Sequence, residues 1–133
     1  RSLTIARYRA LPTITTADIP KATQTHSVVR MKYAPINPSD INFWMGTYGI
    51  RKQLPITMGF EGSGQIIESS EKSLLGRTVT VRSDATTGTY SSHILLPTND
   101  LIVWSPNTNP LDVCCAFVNP FSAVCLKSTI KQN

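Results

Sequence analysis

Prolines and glycines interrupt this chain so often that it can form only short regular segments. Its 133 residues include nine prolines and seven glycines, and the runs between them are rich in Thr and Val, which favour extended strands. The pattern therefore favours short strands and turns over a helical bundle. Strand patterns recur at intervals of roughly ten residues with short helices between them. This spacing predicts a mainly β fold with short helices, built as a small, partly open β-barrel.

Local signals place the individual segments. Strands are predicted at residues 3–8, 27–33, 65–68, 78–82, 90–96 and 101–104. Asn37-Pro38-Ser39-Asp40 predicts a helix start, with Asn as N-cap, Pro in the first helical position and Asp in the first turn, and Gly46 predicts its end. Residues 55–64 predict a glycine-rich turn that leads into the strand at 65–68. Residues 110–127 predict two short helices, separated at Asn119-Pro120.

Charge and composition limit the partners that the chain can have. Its net charge is +5, but no run of Lys and Arg alternates with aromatic residues, so we expect no nucleic-acid partner. No stretch approaches the roughly 18–20 apolar residues of a membrane span, and we expect no transmembrane segment. The basic, hydroxyl-rich start without methionine predicts an organelle import region, hence a mitochondrial location, and otherwise a cytoplasmic one.

The cysteines and histidines do not form a metal-binding pattern. His26 and His93 are isolated, and Cys114, Cys115 and Cys125 have no histidine at ligand spacing. Three cysteines cannot all pair within the chain, so at least one is a free thiol. Free thiols are typical of proteins in a reducing compartment. We therefore predict no metal.

Several motifs in a fixed order resemble a known superfamily. They are Ala-Pro-Ile-Asn-Pro-Ser-Asp at 34–40, Gly-Thr-Tyr-Gly at 46–49, Gly-Phe-Glu-Gly-Ser-Gly at 59–64, and Val-Asn-Pro-Phe-Ser-Ala at 118–123. Together they resemble the medium-chain dehydrogenases/reductases, and within them the zinc-free quinone oxidoreductases and the mitochondrial trans-2-enoyl-CoA reductases. The resemblance covers about residues 3–127. It implies that residues 1–133 form a single GroES-like domain, the N-terminal domain of that family.

The sequence departs from the superfamily pattern in two ways. Zinc-dependent members place Cys where this chain has Asn37 and His where it has Phe60, and the segment 82–88 is too short for their structural-zinc lobe. Full-length members continue into a Rossmann domain that binds NADPH, whereas this chain ends at Asn133. We therefore expect no cofactor site in this chain. NADPH would be bound only if a partner chain supplies a Rossmann domain.

The resemblance implies four candidate site residues. Tyr48 matches the proton donor of the enoyl reductases, and Asn37, Asp40 and Asn119 match polar positions that line the cleft. Each also has a purely structural explanation. The two asparagines suit N-caps, Asp40 suits a helix dipole, and Tyr48 suits packing against Trp44. They are candidates that the chain has kept from an ancestral NADPH-dependent quinone or 2-enoyl thioester reductase.

The apolar C-terminal segment suggests a protein partner. Twelve of the sixteen residues from 111 to 126 are apolar, and in relatives this region lies between the two domains. Phe117, Phe121, Val124 and Leu126 are the predicted interface with other subunits. One hypothesis is a non-catalytic accessory subunit of a larger mitochondrial assembly, such as a respiratory-chain complex, with no activity alone. The alternative is the substrate-binding half of a split or truncated NADPH-dependent quinone or enoyl-CoA reductase.

Overall fold

The computed structural model describes residues 1–84 and 86–131, so Ala85, within the segment 82–88, and the end at Asn133 lie outside the described residues. The described part contains eight strands and two α-helices. The strands are β1 (Ser2–Ile5), β2 (Thr13–Thr15), β3 (His26–Tyr33), β4 (Ile56–Thr57), β5 (Glu61–Glu68), β6 (Thr78–Arg82), β7 (His93–Pro97) and β8 (Ile102–Val103). The α-helices are α1 (Pro38–Met45) and α2 (Val118–Lys131), and single 3-10 turns lie at Lys72–Leu74, Thr98–Asp100 and Pro110–Val113.

The strands form two antiparallel sheets. The larger sheet has the order β7-β3-β5-β6-β8, and the smaller has the order β2-β1-β4. An isolated bridge between Ser2 and Ser91 joins β1 to the segment before β7, and no closed barrel forms among residues 1–84 and 86–131. The prediction of a mainly β fold with short helices is therefore confirmed.

The glycine-rich segment is where the predicted strand boundaries fail most clearly. We predicted a turn at 55–64 before a strand at 65–68, but β5 begins at Glu61 and includes Gly62 and Gly64. A Cβ on Gly62 would lie 2.7 Å from the carbonyl oxygen of Tyr33, and one on Gly64 would overlap the carbonyl oxygen of Arg30. These glycines serve the close approach of β3 rather than a turn.

The other errors concern very short elements and strand ends. β6 matches its prediction of 78–82, whereas β1 stops at Ile5, β7 begins only at His93, and β8 has two residues. The strands β2 and β4 were not predicted. They have three and two residues, too few for an alternating pattern, and both form by pairing with β1.

Two hydrophobic cores hold the molecule together. One lies against the larger sheet and includes Val29, Ile66 and Val79. The other joins α1 to the smaller sheet, where Phe43 packs with Ile5, Ile56 and Met58. Helix α1 ends as predicted at Gly46, which has a left-handed backbone with φ of 72°. The candidate site is built beside the second core.

The C-terminal segment differs from its prediction. Its first helix is only a 3-10 turn, Pro110–Val113, and its second is α2, fourteen residues long. Because α2 begins at Val118, Asn119 and Pro120 lie in its first turn, and Asn119 is not the N-cap. Residues 119–129 are all exposed.

Residues Pro110–Thr129 are long and apolar enough to cross a membrane, by length and composition alone, with a mean hydropathy of 1.3. We expected no such stretch from the sequence. The stretch is not one continuous helix, because a turn at 114–117 separates the 3-10 turn from α2. The fourteen residues of α2 are about 21 Å long, and a bilayer core is about 30 Å thick.

Candidate functional site

A buried network joins Asn37, Asp40 and Glu61 at the start of α1. Asn37 is the N-cap residue, and its backbone N–H donates to Asp40 Oδ2 at 2.7 Å. Its side-chain Nδ2 donates to Glu61 Oε1 at 2.9 Å. Asp40 and Glu61 are 1% and 0% exposed. The structure therefore brings two predicted site residues together around a carboxylate that the sequence analysis did not single out.

The same carboxylate reaches the start of α2. Glu61 Oε2 accepts the backbone N–H of Phe117 at 3.1 Å and that of Val118 at 2.9 Å. A negative group at this position stabilises the helix because the first N–H groups of a helix are unpaired and its N-terminus is partly positive. Glu61 takes the capping role that we had assigned to Asn119.

The surroundings of Asp40 disfavour the charged form of its carboxyl group. Burial is the largest effect and raises the pKa of the Asp40 carboxyl. The nearby Glu61 raises this pKa further, whereas the hydrogen bond from the Asn37 backbone lowers it. Asp40 Oδ1 has no hydrogen-bond partner among the described residues. The pKa of Tyr90 is raised by burial and by Asp40, and the Tyr90 hydroxyl donates to the carbonyl oxygen of Pro35 at 2.9 Å.

Asp40 should therefore make the stability of the chain depend on pH. Because its folded pKa lies above the ordinary value of 3.8, the folded chain keeps this proton where the unfolded chain has lost it. The free energy of unfolding should then fall as pH rises from 3.8 through the folded pKa. Asp40→Asn should flatten that decline in urea unfolding measured over a pH series that rises from about pH 4. Asp18→Asn, at an exposed carboxylate, is the control, and equal slopes for the two variants would contradict the prediction.

An aromatic cluster places Tyr48 next to this network. The Tyr48 ring lies 5.3 Å from that of Phe60, the residue before Glu61, and Phe60 packs edge-on against Phe43 at 5.5 Å. We expected Tyr48 to pack against Trp44, but the aromatic ring paired with Tyr48 is that of Phe60. The indole N–H of Trp44 donates to the carbonyl oxygen of Ala10. Tyr48 is half-buried, so part of it is accessible to a ligand.

A lysine lies over the same rings. Lys52 Nζ is 5.3 Å from the centre of the Phe60 ring and 6.0 Å from that of Phe43, where a cation is attracted to the ring face. Burial lowers the pKa of Lys52, although Asp84 and Asp40 act against this. Its ammonium donates to Ser83 Oγ at 3.2 Å. Lys52 could not be predicted as a site residue, because no feature of the neighbouring sequence distinguishes it from a surface lysine.

The fourth predicted residue does not join the network. Asn119 is exposed in the first turn of α2, and no side-chain hydrogen bond involves it in the described part of the chain. It follows Val118 directly, so its backbone lies next to the groups that Glu61 binds. Asn37 and Asp40 form one unit, Tyr48 is linked to it through Phe60, and Asn119 borders it.

The glycine-rich segment does not form the cradle of a dinucleotide site. The pyrophosphate cradle of such a site needs glycines in a turn between a strand and a helix. Here Gly62 and Gly64 lie inside β5 and face the backbone of β3. The absence of a cofactor site from this chain remains a prediction of the sequence.

The described residues contain no group of three or more His, Cys, Asp and Glu side chains that could hold a metal ion. The two histidines each lie within hydrogen-bond distance of an adjacent hydroxyl, His26 of Thr25 and His93 of Ser92. The absence of a metal remains a prediction of the sequence.

The predicted interface residues lie on two sides of α2. The rings of Phe117 and Phe121 stack at 5.5 Å with an angle of 7° between them, and Val124 follows one turn later. Phe121 is 57% exposed and Val124 61% exposed. We call Phe117, Phe121 and Val124 the α2 apolar face. At about 100° per residue, Leu126 lies roughly opposite Phe121.

A groove of about 380 Å³ is separate from the site. It lies between β1, β2 and the end of β3, and its lining includes Leu3, Met31 and Tyr33. Of the side chains described above it shares only Tyr90. The candidate site borders the start of α2 rather than this groove.

Comparisons with known proteins agree with this architecture. A family model described as the alcohol dehydrogenase GroES-like domain matches residues 23–106. The mitochondrial enoyl-acyl-carrier-protein reductase of Mus musculus is 37% identical over 98 residues, which are 71% of this chain and 26% of the relative. A structure from Mesorhizobium loti described as an NADPH:quinone reductase has a TM-score of 0.77 at 23% identity, over 98% of this chain and 44% of that one. One so described from Bacillus thuringiensis has a TM-score of 0.81 at 21% identity, over 92% and 38%.

The matching family model and the enoyl-acyl-carrier-protein reductase relatives identify the class as the N-terminal part of medium-chain dehydrogenases/reductases, and the two antiparallel sheets agree with it. The chain belongs to the alcohol dehydrogenase GroES-like domain family, since that model matches well over half of it. It spans about a quarter of the length of the curated relatives it matches. The resemblance to quinone and enoyl reductases is therefore confirmed for the N-terminal part of such proteins.

Proposed function

We propose that this chain is the substrate-side domain of an NADPH-dependent reductase of 2-enoyl thioesters, and that it works with a nucleotide-binding domain docked on α2. The observation that carries the proposal is the position of the site. Asn37, at the start of α1, is linked through Glu61 to the start of α2, and Phe121 and Val124 of the α2 apolar face are exposed. A domain that covers α2 would also cover the site.

The relatives support the proposed substrate class and location. Those matched over 71–75% of this chain include mitochondrial enoyl-acyl-carrier-protein reductases at 33–37% identity, which supports a 2-enoyl thioester substrate and a mitochondrial location. A quinone substrate is the alternative, supported only by similarity of fold. In either case Tyr48 would donate the proton, to the carbon next to the carbonyl for an enoyl thioester. The dinucleotide would be bound entirely by the docked domain.

A second candidate function is favoured by the far side of α2. Leu126 is 66% exposed and lies opposite the α2 apolar face. An exposed leucine on this side gives α2 a second apolar contact point, away from the α2 apolar face. This supports the accessory-subunit hypothesis, in which α2 is held between two partner chains of a larger mitochondrial assembly, such as a respiratory-chain complex.

Association with the rest of a relative tests the two functions. We would mix this chain with the remainder of the mouse relative and measure binding and NADPH-dependent reduction of a 2-enoyl thioester. We expect a one-to-one complex that reduces the thioester, whereas the chain alone does not. A native particle of hundreds of kDa, with no reduction by the reconstituted pair, would instead support the accessory subunit.

Serine substitutions on the two sides of α2 sharpen this test. Phe121→Ser should weaken the one-to-one complex roughly tenfold. Full burial of a phenylalanine stabilises by about 1.5–3 kcal/mol, and Phe121 is already partly buried in the free chain, so docking gains only part of this energy. Leu126→Ser is the matched control on the opposite side and should change the affinity little. Equal losses from both variants would contradict one-sided docking and favour a helix enclosed by two partners.

A further inference from the structure

Glu61 connects two parts of the molecule that are far apart in sequence. Its side chain is fully buried in β5 and accepts three hydrogen bonds. One comes from the Asn37 side chain, and two come from the backbone of Phe117 and Val118. A single carboxylate thus contacts the candidate site and the first residues of the helix proposed as the docking element.

The carboxylate of Glu61 determines which end of the Asn37 amide faces it. Both oxygens of Glu61 accept hydrogen bonds from N–H donors, and Asn37 turns its Nδ2, and not its oxygen, towards Glu61. The orientation of the Asn37 amide is therefore determined by Glu61. Since Oε2 of the same group is held by the first N–H groups of α2, a tilt of that helix moves the carboxylate and changes its bond to Asn37.

We propose that Glu61 is a positioning residue that couples the Asn37 amide to helix α2, so that a partner docked on α2 changes how Asn37 faces a substrate. The importance of this coupling for catalysis rests on the proposed function. The coupling itself is a property of this chain and can be measured without a partner. A Glu61 that served only to cap α2 would leave Asn37 unaffected by changes in the helix.

Val118→Pro separates the two roles. Proline has no N–H, so this variant removes one donor to Glu61, and proline is tolerated in the first helical turn because that N–H is not used within the helix. We would follow the side-chain amide signals of Asn37 by NMR in the full chain. The signals should shift, and their hydrogen exchange should accelerate. Val124→Ala changes the same helix without removing a donor, and it should leave Asn37 unchanged.

The variant Glu61→Gln completes the cycle. It should accelerate exchange of the Phe117 N–H about tenfold, as expected for loss of a charged acceptor, whereas Glu68→Gln, at an exposed position of the same strand, should not. In the Glu61→Gln background, Val118→Pro should no longer affect Asn37. The proposal is overturned if the effect persists there, or if Val118→Pro and Val124→Ala shift Asn37 equally.

The outcome is independent of the proposed function. If Glu61→Gln does not fold, the comparison of Val118→Pro with Val124→Ala still decides whether Asn37 responds to the helix. A reconstituted pair without reductase activity would contradict the proposed function and leave the coupling intact. Unchanged Asn37 signals in an active pair would contradict the coupling alone.

Discussion

Replacing Gly64 with alanine is expected to destabilise the fold by about 3 kcal/mol or more, a large part of the stability of a small domain. The added Cβ would overlap the carbonyl oxygen of Arg30 and lie 2.8 Å from Cγ1 of Val29. Both belong to β3, which is paired with β5 on one side and β7 on the other. A strand that is paired on both sides cannot move away from the methyl group, so the overlap would be relieved only by loss of strand pairing.

Gly49→Ala is the control for this substitution. Gly49 has no heavy atom within 4 Å of an added Cβ, and its replacement should change the free energy of unfolding by no more than about 0.5 kcal/mol. Urea unfolding followed by circular dichroism measures both variants. Equal midpoints for Gly64→Ala and Gly49→Ala would mean that β3 and β5 are not in close contact.

Removing the Tyr48 hydroxyl should have the largest effect on activity. If Tyr48 is the proton donor, Tyr48→Phe should lower the kcat of the reconstituted reductase about 10²–10⁴-fold, the usual contribution of general acid catalysis. Stability should change little, because a phenylalanine ring can keep the contact with Phe60 at 5.3 Å. The measurement is kcat across a pH series, together with the unfolding midpoint.

Tyr8→Phe is the matched control. Tyr8 belongs to the same aromatic cluster, 5.7 Å from the Phe43 ring, and its buried hydroxyl has no hydrogen-bond partner among the described residues. Its loss should leave kcat unchanged. A full rate in Tyr48→Phe would reduce Tyr48 to a packing residue and strengthen the accessory-subunit hypothesis.

Features that depend on neighbouring residues could be predicted from the sequence. Helix α1 begins after Asn37 and ends at Gly46 as expected, because capping and a left-handed glycine act within one turn of the chain. The family motifs also placed Asn37 and Asp40 correctly near each other, since they lie in the same helix start.

Features that depend on distant residues could not be predicted in this way. The strand β4 exists only because β1 pairs with it, and Gly62 and Gly64 look like turn residues until β3 is placed beside them. Glu61 carries no local sign of its role. Its partners, Asn37 and Val118, lie 24 and 57 residues away along the chain.

The sequence by itself determined the fold class, the short capped helix and the family, because strand spacing, capping and motif order are properties of the linear chain. Only the tertiary structure decided which groups form the site. It placed a buried carboxylate between Asn37 and α2, left Asn119 outside the network, and put Leu126 opposite Phe121. The physical reason is that a buried charge must find hydrogen-bond donors, and folding alone determines which donors are within reach.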